Sequence, residues 1–370
     1  MLLTIIVSIL ILGLLIFVHE LGHFISAKKL GMKVEEFGFG FPPRIFGVKK
    51  GETIYSINLI PLGGFVKIYG EQRSEKEKKK KKGRPKKDKR AFYAKPIWKR
   101  AIVLAMGVVM NLFLAGVLLS VVHGLGVPTL VEEGSENNAS NIQIQVLAIA
   151  PDSPAMNAGL KTGDAINGLR FAKYELLVNN VEDIQKFVAR YTGEEITLVI
   201  QRGKEVLEKK LTPRVSPPKN EGPLGVALGP VGLVKYPWYS AIWQGFKTTG
   251  QMTVGFIGLF YQLFKNLILT GKLIGEVAGP VGIASLTHQM TKLGLVYVLQ
   301  FTALFSINLA ILNSIPFPAL DGGRLLFLAI EKIKGSPLSA KTEQLVNGLG
   351  FAILIALMIL VTFKDIVKLF

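Results

Sequence analysis

Hydrophobic positions along this chain are bunched into four runs, at about residues 2–24, 97–123, 296–315 and 349–363. About 20 mostly apolar residues suffice to cross a bilayer as a helix, so each run predicts a transmembrane span. A fifth stretch, residues 241–269, mixes Trp243, Phe246, Phe256 and Phe260 with Gln244, Lys247, Gln251 and Lys265. That many polar groups predicts a helix lying in the membrane interface rather than one crossing it. Between the first two runs, residues 53–60 are rich in β-formers, Pro61-Leu62-Gly63-Gly64 reads as a turn, and residues 65–69 are again β-rich. Strand, glycine turn and strand predict a hairpin. A sheet at membrane depth must be covered or line a cavity, and its edge can pair with an extended peptide.

The pattern changes between Pro128 and Arg214. Residues 142–149 alternate as a strand, and residues 152–160 read as a short capped helix ending at glycine. A strand then begins near Ala165. Residues 181–191 form an amphipathic helical pattern, and strands at 196–201 and 206–211 flank the turn Arg202-Gly203-Lys204-Glu205. A small α+β domain is expected here.

Composition agrees with a membrane protein: 370 residues, 49% hydrophobic, mean hydropathy +0.40. Cysteine is absent, which excludes disulfides and thiolate metal ligands. The net charge of +18 is local, because residues 28–100 hold 22 Lys+Arg against 7 Asp+Glu. The tract from Lys76 to Arg90 has no interleaved aromatics and no surrounding nucleic-acid motif, so it does not read as a nucleic-acid footprint. The positive-inside rule places this loop in the cytoplasm, beside anionic lipid headgroups. The N-terminus and residues 123–295 then fall outside.

Candidate chemistry sits at the inner end of the first run, in His19-Glu20-Leu21-Gly22-His23. Histidines at i and i+4 share one helix face and can hold one zinc ion, with the intervening glutamate as general base. Ionisable groups within an apolar helix cost about 2.5–3.5 kcal/mol each on insertion scales, and a shared divalent cation offsets that cost. A catalytic zinc needs a third protein ligand. His123 and His288 qualify by type but fall on the outer side. Asp321, in Ile315-Pro316-Phe317-Pro318-Ala319-Leu320-Asp321-Gly322-Gly323, follows a span that ends inside. An aspartate before Gly-Gly is often only a turn residue; here the broken helix favours a ligand on irregular backbone lining a cavity. Were residues 241–269 to cross the membrane, the later topology would invert and this placement would fail.

Taken together, HELGH, IPLGGFVK, AGPVGI at 278–283 and SINLAILNSIPFPALDGGR resemble the site-2 protease family of intramembrane zinc proteases. The likeness is nearest to bacterial members acting on anti-sigma factors, and SPAMNAGLKTGDAI resembles a bacterial protease PDZ domain. The resemblance implies one zinc per chain held by His19, His23 and Asp321, with Glu20 activating water. It also implies that Asn308 and Asn313 engage substrate, and that Leu62, Gly63, Gly64, Phe65 and Val66 belong to a membrane-reentrant β element. Gly107-Val108-Val109-Met110-Asn111 departs from the family's usual Gly-Pro-x-x-Asn.

The expected fold is a polytopic α-helical membrane protein with about four transmembrane helices, a membrane-associated hairpin and one extracytoplasmic PDZ domain. The expected divisions are 1–27 (first span), 28–96 (cytoplasmic loop), 97–123 (second span), 128–214 (PDZ domain) and 215–295 (outer segment). Residues 296–321 (third span), 322–348 (cytoplasmic loop) and 349–370 (fourth span) complete the chain. The expected setting is a bacterial cytoplasmic membrane. Expected partners are single-pass membrane proteins, a PDZ-bound peptide or substrate end, and lipids, with no nucleic acid. Two rival readings remain: an inactive PDZ-bearing scaffold that captures single-pass proteins, and a transporter, which the lack of inverted repeats disfavours.

Overall fold

The computed structural model describes residues 2–71, 88–131, 139–203, 205–218, 221–271 and 279–367. Most of the Lys76–Arg90 tract, residue Ala278 and the Leu62 side chain lie outside the described residues. In chain order the elements begin with α1 (Leu2–Lys29), β1 (Val34–Lys50), β2 (Thr53–Ile68) and α2 (Ile97–Leu125). Next come β3 (Val127–Leu130), β4 (Ala139–Ile149), α3 (Pro154–Asn157), β5 (Ala165–Phe171), β6 (Tyr174–Leu177) and α4 (Val181–Arg190). Strands β7 (Ile196–Arg202), β8 (Glu205–Leu211) and β9 (Val226–Val234) precede α5 (Trp238–Thr270), α6 (Pro280–Leu293), α7 (Leu295–Ser314), α8 (Asp321–Lys334) and α9 (Ala340–Val367). The chain divides into two compact units, one of Met1–Ser120, Ile242–Thr291 and Val298–Phe370, the other of Val121–Ala241 and Lys292–Tyr297.

In the first unit, α1 is apolar for its first four turns and ends with Lys28 and Lys29, whose charges suit a helix C-terminus. Gly31 then takes the left-handed conformation that stops the helix. The following chain is more than the expected hairpin. Residues 36–39 of β1 pair with residues 64–67 of β2 on one side and with residues 54–57 on the other. Residues 44–50 of β1 then pair with residues 53–58 of β2. The result is a four-segment mixed sheet in the order 64–68, 34–39, 53–58, 44–50, with the two outer pairings antiparallel in register and the central one, residues 36–39 on 54–57, parallel. The two stretches expected to pair directly are separated by residues 36–39, because both strands bend and glycine permits close approach where they do. A Cβ on Gly64 would sit 2.8 Å from the Gly38 carbonyl oxygen, and one on Gly38 would meet Ser56 and Asn58. The far end of the sheet exposes Ile45, Phe46, Val48, Ile57 and Leu59.

Five helices among the described residues are long and apolar enough to cross a membrane, one more than the four expected. The addition is α5, a single 33-residue helix over the stretch expected to lie in the interface. Gly245, Thr249, Met252, Phe256 and Phe260 recur at helical spacing and make its packing face, while most of its interrupting polar residues are exposed. Gly245 abuts Ser120 of α2 with no room for a side chain, and the Phe246 ring covers Gly116. Ala115, Leu119, Ala303, Ile307 and Ile311 form the shared core of α2 and α7.

The loop expected at 322–348 also holds structure, since α8 starts at Asp321 and α9 already at Ala340. Pro316 and Pro318 end α7, and a tight turn returns the chain to α8. That turn needs both glycines of Asp321-Gly322-Gly323. A Cβ at Gly322 would strike the carbonyls of Ser314 and Ile315, and one at Gly323 that of Phe317. The Arg100 guanidinium donates to both Glu331 oxygens at 2.9 and 2.6 Å, joining α2 to α8. Arg324 pairs with Glu71 just beyond β2.

The second unit is a mixed α+β body. Its strands run β3-β9-β4-β5-β7-β8, with β6 also on β5, and all pairings are antiparallel. Ile144, Val146, Ile166, Leu169, Leu198 and Ile200 build the core with Ile184, Phe187 and Val188 of α4. Ser153 caps α3, and Asn180 with Asp183 forms a capping box on α4. Buried Asp164 accepts two bonds from Arg202, at 2.6 and 2.7 Å. The unit extends past residue 214, where the sequence pattern sets its end, because β9 pairs along the whole of β4.

Candidate metal centre

Helix α1 carries His19 and His23 one turn apart, both buried. Asp321 stands at the first position of α8, where a helix N-terminus favours a carboxylate. It therefore opens a helix, and the irregular backbone expected around it is confined to the preceding turn. His19 Nε2 lies 2.9 Å and His23 Nε2 3.2 Å from Asp321 Oδ2, and the two Nε2 atoms are 3.2 Å apart. Three ligand-type atoms thus converge on one point. A tetrahedral zinc with Zn–N near 2.05 Å has ligand–ligand edges of about 3.3 Å, so the donor set and its spacing fit such an ion. Asp321 comes to the histidines in the structure, and α5 is long and apolar enough to cross a membrane.

Close packing of α1 on α2 makes the cluster possible. A Cβ on Gly107 would lie 2.5 Å from His23 Nε2 and 2.8 Å from His19 Nε2, so this glycine keeps the space beside both nitrogens free. Gly22 lies against the Met106 carbonyl with equally little room. A buried carboxylate is costly when it stands alone, and the two imidazoles within hydrogen-bond reach of Asp321 offset that cost.

A cavity of about 1240 Å³ opens beside the cluster. Glu20, Phe65, Val66, Asn313 and Arg324 line it together with the three metal-ligand candidates. Glu20 Oε2 accepts a hydrogen bond from the Val66 N–H at 3.1 Å. Phe65 and Val66 therefore stand at the cavity. Gly63 and Gly64 are not among its lining residues and act one step back. Gly63, at φ +105, passes so close to Ile16 that a Cβ would lie 2.8 Å from its side chain. Asn308, half-buried on α7, is likewise not among the lining residues. His123 packs on Tyr236 and His288 is hydrogen-bonded to Thr4, so neither joins the cluster.

Two contributors escape the sequence reading. The Val103 carbonyl oxygen lies 2.8 Å from His23 Nδ1, and the fully buried Asn111 amide lies 3.3 Å from His19 Nδ1. Asn111 has a visible signal, a lone amide in an apolar span four residues after Gly107. A backbone carbonyl has none.

A model described as peptidase family M50 matches residues 7–357. The regulator of sigma-W protease RasP of Bacillus subtilis is 32% identical, covering 99% of each chain. Zinc metalloprotease RasP of Shouchella clausii is 31% identical over the same shares. A Clostridium perfringens protein reaches 36% identity over 98% of both chains.

Proposed function

This chain belongs to peptidase family M50, the site-2 type of zinc metalloprotease, and from that membership we propose that it hydrolyses peptide bonds within or beside the transmembrane segments of single-pass membrane proteins. The observation that carries the reading is the convergence of His19, His23 and Asp321 beside Glu20 at one cavity. In this reading the three residues hold one zinc. When bound, zinc supplies Lewis acidity, enough to make water a competent nucleophile near neutral pH.

The chain's own groups do the rest. The Glu20 carboxylate, steadied by Val66 through Oε2, takes the proton of the attacking water on Oε1 and delivers it to the departing amide nitrogen. The carbonyl carbon gains the water oxygen, and the C–N bond breaks. A transmembrane helix hides its carbonyls in internal hydrogen bonds, and freeing one in lipid costs several kcal/mol. The edge formed by residues 65–68 borders the cavity, which supports pairing with an unwound substrate strand. Asn313 at the cavity supports replacement hydrogen bonds there. Asn308 is assigned the same task from the family resemblance.

The second unit is read as a PDZ domain outside a bacterial cytoplasmic membrane, selecting substrates by size or by a free peptide end. An anti-sigma factor or a remnant signal peptide has the required form. The sigma-W regulator named among the relatives and the local positive charge of residues 28–100 support this setting.

The test is cleavage of a single-pass model substrate by the purified chain in detergent, with the cut located by mass spectrometry. A cut inside the membrane segment by wild type, with Glu20→Gln slower by about 10²–10⁴-fold, supports the reading. Cuts confined to the soluble flanks, or equal activity of Glu20→Gln, refute it.

A further inference from the structure

Helix α2 contacts both imidazoles on the side away from the ligand cluster. At His23 the partner is the Val103 carbonyl, which only accepts, so His23 carries its proton on Nδ1 and directs the Nε2 lone pair at the cluster. At His19 the partner is an amide, which can act either way. Asn111 is fully buried, its Nδ2 faces His19 Nδ1 at 3.3 Å, and its Oδ1 is buried with no partner among the described residues. Its backbone is pinned, because the Ser306 hydroxyl of α7 donates to the Asn111 carbonyl at 2.7 Å.

We propose that Asn111 is a positioning residue for the metal: its side-chain oxygen accepts His19 Nδ1–H and so presents the His19 Nε2 lone pair to zinc. The arrangement seen here is the complementary one. With the amide nitrogen donating to Nδ1, His19 keeps its proton on Nε2 and donates it to Asp321 Oδ2 at 2.9 Å. Metal ligation through Nε2 moves the proton to Nδ1, which then needs an acceptor. A half-turn of the Asn111 amide exchanges its nitrogen and oxygen with almost no change of shape. The unpartnered oxygen then meets the new N–H. Asparagine serves both tautomers, aspartate serves only the metal-ready one, and leucine serves neither.

This inference rests on His19 being a zinc ligand, and the experiment separates the two claims. Zinc retention by the full-length chain in detergent is measured by chelator competition for wild type, His19→Ala, Asn111→Asp and Asn111→Leu. The cobalt-substituted absorption spectrum and the thermal midpoint are recorded beside it. The expected result is zinc affinity about 10–100-fold weaker in Asn111→Leu. Asn111→Asp should stay within a few-fold of wild type and keep the wild-type cobalt spectrum. Wild-type affinity in Asn111→Leu would overturn the proposal. So would an Asn111→Asp protein of normal thermal midpoint whose zinc affinity falls about tenfold or more below wild type, and this second arm decides the matter if Asn111→Leu does not fold. Equal zinc retention by wild type and His19→Ala would overturn the ligand assignment, and the role of Asn111 with it.

Discussion

The backbone N–H of Val66 donates to Glu20 Oε2 at 3.1 Å, tying the carboxylate of the HExxH motif to the edge of the four-segment sheet. Val66 pairs with Phe37 along its other side, so this N–H points out of the sheet and into the cavity region. One strand thus steadies the proposed base and offers the proposed substrate edge.

Replacing Val66 with proline removes that donor while leaving an apolar side chain. Cleavage should fall by about tenfold or more through kcat, zinc content should stay at the wild-type level, and Val66→Ala should behave nearly as wild type. Steady-state kinetics with metal analysis checks this, and an unimpaired Val66→Pro enzyme would contradict it.

Gly107 borders both Nε2 atoms too closely for any side chain. Gly107→Ala should displace at least one imidazole and weaken zinc binding by about tenfold or more, although alanine is the better helix former. Competition against a chromogenic chelator reads the loss. Unchanged affinity would mean that α2 can retreat from α1 without cost.

Unwinding should limit the reaction if the substrate enters as a helix. A glycine or proline pair placed within a turn of the scissile bond should raise the cleavage rate several-fold, because fewer internal hydrogen bonds remain to be released. Rates for matched substrates with and without the pair decide this, and equal rates would remove unwinding from the rate-limiting step.

In the second unit, Arg202→Met leaves the Asp164 carboxylate buried without the two side-chain donors it has in the native protein. Breaking such a pair costs about 3–5 kcal/mol, a large share of a small domain's stability. Hydrogen exchange across β5, β7 and β8 of the intact chain should speed up markedly, while α1 and α8 keep their protection. Loss of protection confined to exposed loops would contradict the role given to this pair.

Much of the site is legible in the sequence because its residues carry unusual costs or conformations. His19, Glu20 and His23 stand out as ionisable groups within an apolar run, and Asp321 follows two prolines that must end a helix. The sheet is harder to read. Residues 34–39 look like an apolar, glycine-rich approach, and nothing local shows that they accept partners along both edges. Helix α5 reads as interfacial because its glutamines and lysines lower the average apolarity, while its packing face, from Gly245 to Phe260, is uniform only at helical spacing; its length and composition also suffice to cross a membrane. Helix α8 passes for loop because its amphipathic turns follow directly on the Gly-Gly pair, which serves close packing rather than a break.

The most direct measurement is the zinc content per chain of the purified protein, for wild type, Glu20→Gln and Asp321→Ala prepared in parallel. One zinc in wild type and in Glu20→Gln, with most of it lost from a folded Asp321→Ala, is the expected result. Full retention of zinc by Asp321→Ala would contradict the three-residue metal centre.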